Sequence, residues 1–253
     1  MDRDMYDMWG KGMHSGDQEV PLAPLMPPGE PLPMPPGMTF ARRGWDPGLY
    51  AQTVLAQFGA CGWMDRIHAN PPNLDPAVVA DELDQLGDFI KDRPGRAAEI
   101  QAQARDASVY WQDMLMASPA SHPFTWGLIA TGNTVAHMVA MHFKLVFKRP
   151  RPIQLYPSLM PPLLTPPHPS YPNAHALEAL VMSACAAIVA PQFEPWLLAL
   201  ARRIGENREY AGVHYPSDRK ESEHLAPQIM AVLNTLPLFQ DLVVQAKAEW
   251  PAA

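Results

Sequence analysis

The sequence predicts an all-α fold, a helical bundle whose functional residues collect at helix ends and in loops. Two observations carry this. From residue 46 onward apolar residues recur at helical spacing, and no stretch sustains the two-residue alternation of a strand. Breaks between the periodic segments are marked by Asp, Asn, Ser and Pro, the residues that start and stop helices. No internal repeat is visible.

The elements follow in order. Asp46-Pro47 opens the first helix, with Asp as cap and Pro in the first turn, and the pattern runs to about Cys61. Pro76 opens a second through Asp92. A third is predicted from about Gly95 to Met116 and a fourth from Pro123 to Phe147. A proline-dense loop covers Pro150 to Pro172. Further helices are predicted at about Asn173–Ala190, Glu194–Tyr210, Ser217–Thr235 and Pro237–Glu249.

Residues 1–45 read as a separate Pro-rich arm and 46–253 as the helical domain. Pro21 to Gly37 holds eight prolines in seventeen positions, so it cannot be helix and is expected to be extended. Two readings of the arm stay open. One is a disordered tail. In the other, Leu22, Leu25, Met26, Leu32 and Met34 pack over the chain's own domain or over a second copy in a homodimer.

Composition narrows function. At 253 residues the chain is long enough for one large core. A net charge of -7 argues against nucleic acid as partner, since phosphate backbones reward basic patches. Cys61 and Cys185 make no disulfide framework and read as small core residues. The longest stretch without Asp, Glu, Lys or Arg, Met114 to Phe143, is broken by Pro119 and Pro123 and carries several His, Thr and Asn. It reads as a buried helix, not a membrane span, and the N-terminus lacks the apolar run of a signal peptide. The expectation is a soluble, cytoplasmic chain that is not an integral membrane protein.

Three polar segments stand out. In Lys144-Leu-Val-Phe-Lys-Arg-Pro-Arg151-Pro152 a lysine lies near a helix end, and Arg151 reaches back from rigid extended chain. Arg offers a planar fork to two oxyanion oxygens and Lys a point charge. Alone, the segment also reads as a basic helix end complementing its dipole. In Pro169-Ser-Tyr-Pro172-Asn173-Ala174-His175, Asn173 is placed as an N-cap. The amides that follow form an anion cradle, with His175 at its rim as a proton donor. In Asn207-Arg208-Glu-Tyr-Ala-Gly212-Val-His214-Tyr-Pro-Ser217-Asp218, Gly212 permits a turn and Ser217 can cap the next helix. Asp218 can then orient His214 by one ring nitrogen and leave the other free.

Together these segments resemble the three ordered motifs of the type-2 phosphatidic acid phosphatase and vanadium-dependent haloperoxidase superfamily. K-x6-R-P is met by Lys144, Arg151 and Pro152. P-S-G-H is met by Pro172 and His175, with Asn173-Ala174 in place of Ser-Gly. S-R-x5-H-x3-D is met by Arg208, His214 and Asp218, with Asn207 in place of Ser. The resemblance implies a bundle of the acid phosphatase/haloperoxidase type. It implies that Lys144, Arg151 and Arg208, with Asn173 and Ala174, bind the oxyanion. It further implies that His214 is the nucleophile, Asp218 its orienting partner and His175 the general acid.

The expected activity is a phosphatase acting on a small phosphate monoester or diphosphate through a phosphohistidine, with no cofactor and no divalent metal. The compact length resembles the superfamily's small soluble acid phosphatases. Three alternatives remain. One is a haloperoxidase with vanadate on His214. A second is an isoprenoid diphosphate enzyme of the cyclase or lyase type, whose apolar pocket would be lined by Trp126, Met138, Met141 and Met182, although these read first as core. The third is a non-enzymatic oxyanion-binding module, for which Asn173-Ala174 is the support. His168 is placed to edge the pocket, while His137 and His142 lack a metal-pair spacing.

Overall fold

The computed structural model describes residues 36–250, so most of the Pro-rich arm lies outside the described residues. These fall into two units, divided after Trp45. In the first, Arg42–Gly44 forms a 3-10 turn, and the Phe40 ring meets the Trp45 ring edge-on at 6.3 Å.

The second unit is all-helical, with no strand among the described residues. Its helices are α1 (Pro47–Ala60), α2 (Pro76–Asp92), α3 (Ala97–Arg105), α4 (Val109–Leu115), α5 (Pro123–Phe147), α6 (Pro152–Leu155), α7 (Ala174–Val189), α8 (Glu194–Tyr210), α9 (Pro216–Leu233) and α10 (Pro237–Lys247). The predicted start at Asp46-Pro47 is realised, with Asp46 accepting from the Leu49 amide at 2.9 Å, and before the predicted start at Pro76 the Asp75 side chain accepts from the Ala77 amide at 2.8 Å. The start of α5 is capped from far away. Glu249 accepts from the amides of Phe124 (2.9 Å) and Thr125 (2.8 Å).

The helix expected over 95–116 is instead two. The Asp106 side chain accepts from the Ser108 amide at 2.8 Å, closing a local turn that competes with the helix ladder, and the backbone at Asp106 is extended. The helix expected to start at Ser217 begins at Pro216. Its first turn is closed by Asp218, which accepts from the Tyr215 amide at 3.0 Å, so Ser217 is not the cap. The proline-dense loop carries α6 and a 3-10 turn at Pro157–Leu159.

Helix α5 is the central element. It packs against α1, α7 and α10, and α7 packs in turn against α8 and α9. Gly132 makes the α5–α7 approach possible: a Cβ there would lie 2.9 Å from Cys185 Sγ and 3.2 Å from the Val181 carbonyl. Trp126 and Met182 are buried in this core, with Met138 and Met141 packed against it, so these four residues are packing residues. Cys185 is also core, but Cys61, at the end of α1, is only partly buried. No single helix among the described residues is long and apolar enough to cross a membrane.

Candidate active site

Two backbone hydrogen bonds stitch the three polar segments together, and a third closes the turn inside the last of them. The Ser170 amide donates to the Arg149 carbonyl (2.9 Å), the Asn173 amide to the Asp218 carbonyl (3.0 Å), and the Val213 amide to the Arg208 carbonyl (3.1 Å). The last turn of α5, the loop before α7, the last turn of α8 and the first turn of α9 are thereby brought to one place.

His214 is buried at the centre. Its Nδ1 lies 2.9 Å from Asp218 Oδ2 and its Nε2 lies 2.9 Å from Arg151 Nη1. A guanidinium only donates, so Nε2 is the acceptor and the ring proton sits on Nδ1, donated to Asp218. The pKa of His214 is pushed well below 6.5 by burial and then by Arg151, Lys144, His175 and His168. The ring is neutral, with its lone pair on Nε2 toward the cations.

The predicted cations are all buried there. Arg151 donates from Nε to the His168 carbonyl (3.0 Å) and from Nη1 to the Val213 carbonyl (2.7 Å). Its Nη2 lies 3.0 Å from His168 Nδ1. Burial lowers its pKa to about 10. Lys144 Nζ donates to the carbonyls of Pro169 (2.9 Å), Ser170 (2.7 Å) and Pro172 (2.6 Å). All three of its protons are thus engaged in shaping the loop before α7, and burial holds its pKa well below 10.5. Arg208 donates from Nη2 to the Ile100 carbonyl at 3.0 Å. Its Nε is buried without a hydrogen-bond partner among the described residues, and burial lowers its pKa to about 10.

His175, in the first turn of α7, stands in the same field. Its pKa is pushed well below 6.5 by burial, then by Arg208, Arg151, Lys144 and His168. His168 edges the pocket through Arg151, and burial with Lys144 and Arg151 lowers it to about 4. Ala174 is the first residue of α7 and is buried. Asn173 caps α7, accepting from the Ala176 amide at 3.2 Å, while its Nδ2 points to the Gly205 carbonyl at 3.4 Å. Its side chain therefore joins α7 to α8, and that contact takes one of the two amide protons.

Several residues that sequence reasoning missed complete the site. Arg149 is buried and donates from Nη1 to Asp218 Oδ1 (2.7 Å) and Ser217 Oγ (2.7 Å), and from Nη2 to Glu82 Oε2 (2.6 Å). Ser170 Oγ donates to Asp218 Oδ2. Asn207 donates to Gln103 at 2.9 Å, and Gln103 Oε1 also faces Arg208 Nη2 at 3.5 Å. Of these, Asn207 was marked beforehand by standing in place of Ser beside Arg208, and Ser170 had a local signal in its place in the proline-framed segment before Asn173.

His137 pairs with Glu178 at 2.8 Å, and His142 packs edge-on against Trp63, so neither joins a metal cluster. No group of three or more metal-ligating side chains occurs among the described residues.

The chain has distant phosphatase relatives. The decaprenylphosphoryl-5-phosphoribose phosphatases of Mycobacterium tuberculosis strains CDC 1551 and H37Rv are each 26% identical over 156 residues, covering 58% of this chain and 84% of theirs. That of Mycolicibacterium smegmatis is 27% identical over 157 residues, 58% of this chain and 80% of its own. No protein-family model matches the chain.

Proposed function

We propose that this chain is a phosphatase that hydrolyses phosphate monoesters or diphosphates through a phosphohistidine on His214. One observation carries the reading: a neutral histidine with its Nδ1 proton on Asp218 and its Nε2 lone pair toward the buried Arg151. The phosphatase relatives support the same reaction class. The buried, unpartnered Arg208 Nε adds a donor that an oxyanion would satisfy.

The reaction follows from these groups. Nε2 of His214 attacks phosphorus, and the bond to the leaving oxygen breaks. Asp218 accepts from the now cationic ring, and His175 gives its proton to the leaving oxygen. Arg151, Arg208 and the charge of Lys144 stabilise the equatorial oxygens as negative charge develops. Water then attacks the phosphohistidine, His175 takes its proton, and the P–N bond breaks to release phosphate. Donors and charge, not a metal, do this work in the proposed scheme.

The test is hydrolysis of a chromogenic phosphate monoester from acidic to neutral pH, with and without orthovanadate, beside His214→Ala. Vanadate-sensitive turnover that His214→Ala lacks is the expected result. Vanadate retention with peroxide-dependent bromide oxidation, in place of hydrolysis, would move the reading to a haloperoxidase. Activity that arises only on restoring Ser-Gly at Asn173-Ala174 would make the native protein a binding module.

A further inference from the structure

Arg149 is buried and charged, and its side-chain hydrogen bonds go to Glu82, Ser217 and Asp218, none of them an oxyanion-binding residue in the scheme above. We infer that Arg149, clamped between Glu82 and Asp218, is the positioning residue that fixes which nitrogen of His214 carries the proton. The inference rests on the phosphatase reading for its effect on turnover.

The geometry divides Asp218 in two. Oδ1 accepts from Arg149 Nη1 at 2.7 Å. Oδ2 accepts from His214 Nδ1, the Tyr215 amide and Ser170 Oγ. Asp218 is fully enclosed, and burial alone favours a neutral carboxyl. Burial does raise its pKa, and Arg149 heads the influences that hold it down, ahead of Ser170 and Lys144. Glu82 aims the guanidinium: its Oε2 takes Nη2 at 2.6 Å, while its Oε1 accepts from the Ser217 amide at 2.8 Å. The Tyr215 ring stacks under the guanidinium at 3.7 Å. The fork is thus fixed on both arms and one face, which a lysine would not reproduce in full.

The other groups around Asp218 do not replace Arg149. Lys144 on α5 acts on it by charge alone, with its protons on backbone carbonyls. Arg151 is held by the His168 and Val213 carbonyls and by His214. Ser170, Tyr215 and Tyr171 are uncharged, and Glu82 on α2 and Glu209 on α8 are acidic. Without Arg149 the carboxyl takes a proton from solvent and presents it to His214 Nδ1. The ring proton then sits on Nε2, where it meets the Arg151 donor 2.9 Å away, and the lone pair needed for attack is gone.

The experiment is 15N NMR of the full chain labelled on histidine, read against pH, with the His214 signals identified by their loss in His214→Ala. The pH profile of kcat/KM for a phosphate monoester is measured alongside. Arg149→Met should move the His214 proton to Nε2. It should also raise by about 1–3 units the pH at which the His214–Asp218 pair takes its first proton. kcat should fall about 10–100-fold, with KM little changed. Glu82→Gln should shift that pH the opposite way and keep the wild-type tautomer, although it too removes a buried ion pair. Arg149→Lys should recover most of the tautomer. If Arg149→Met does not fold, Arg149→Met with Glu82→Gln, which strands one carboxylate fewer, takes its place. A wild-type tautomer and an unmoved acidic limb in the Arg149→Met protein would overturn the inference. Retained hydrolysis in His214→Ala would instead remove His214 as the nucleophile and leave the tautomer result standing.

Discussion

His175 and His214 share one field of positive charge, but in the proposed reaction they need opposite protonation states. Burial and the cations keep both rings neutral, which suits a nucleophile and not an acid. In the proposed reaction a bound phosphoryl dianion would cancel much of that field, so that His175 would gain its proton when substrate is present. We expect His175→Ala to lower kcat about 10²–10⁴-fold for an alkyl phosphate. The loss should be much smaller for a nitrophenyl phosphate, whose leaving group departs without a proton. Equal losses for both substrates would deny His175 the role of acid. The residues with this chemistry were legible because they are close in sequence and rigidly spaced. Arg149 was not: it sits in a basic run beside Lys148 and Arg151, and its meaning depends on Glu82, 67 residues upstream. Asn173 was legible as a cap, but its reach to the Gly205 carbonyl depends on where α8 lies.

The helices hold these residues in register through a few close approaches. At Gly205 of α8, an added Cβ would lie 2.8 Å from Arg219 Cδ and 3.0 Å from Ala176 Cβ, one residue after His175. Gly205→Ala should therefore push α8 from the first turn of α7. We expect a loss of about 1–3 kcal/mol in denaturant unfolding together with a lower kcat; unchanged stability would mean that Arg219 moves aside at no cost. Helix starts marked by Asp-Pro were readable because the cap is local. The break between α3 and α4 was hidden because the Asp106 turn competes with a helix over only three residues. The start of α9 was misplaced by one residue because Asp218, chosen for His214, also closes the turn.

Across the whole molecule, buried charge links stability to pH. His168, His175 and His214 all have folded pKa values below 6.5. Above that pH neither folded nor unfolded rings bind protons, and these groups contribute nothing. As pH falls below it the unfolded chain takes up protons first, so stability declines; for His168 the decline runs down to about 4, where the folded ring is protonated too. Glu209 opposes this: burial raises its pKa to about 7, so the stability it confers at low pH is lost as pH rises through that value. Sulfate remains a dianion across the range. The gain in Tm from a fixed sulfate concentration should be larger near about pH 5 than near about pH 8, because sulfate restores the histidines' affinity for protons. The His175→Ala/His214→Ala double variant should flatten that difference, and an equal gain at both pH values in the wild type would contradict a shared field.

In the proposed reaction His214 Nε2 takes the phosphoryl group. The most direct measurement is to quench turnover in alkaline denaturant, which preserves phosphohistidine, and to map the phosphate by mass spectrometry. Phosphate should be found on His214, should appear there faster than steady turnover, and should be lost in His214→Ala. Hydrolysis with no phosphorylated His214, or with phosphate on another residue, would contradict that reaction.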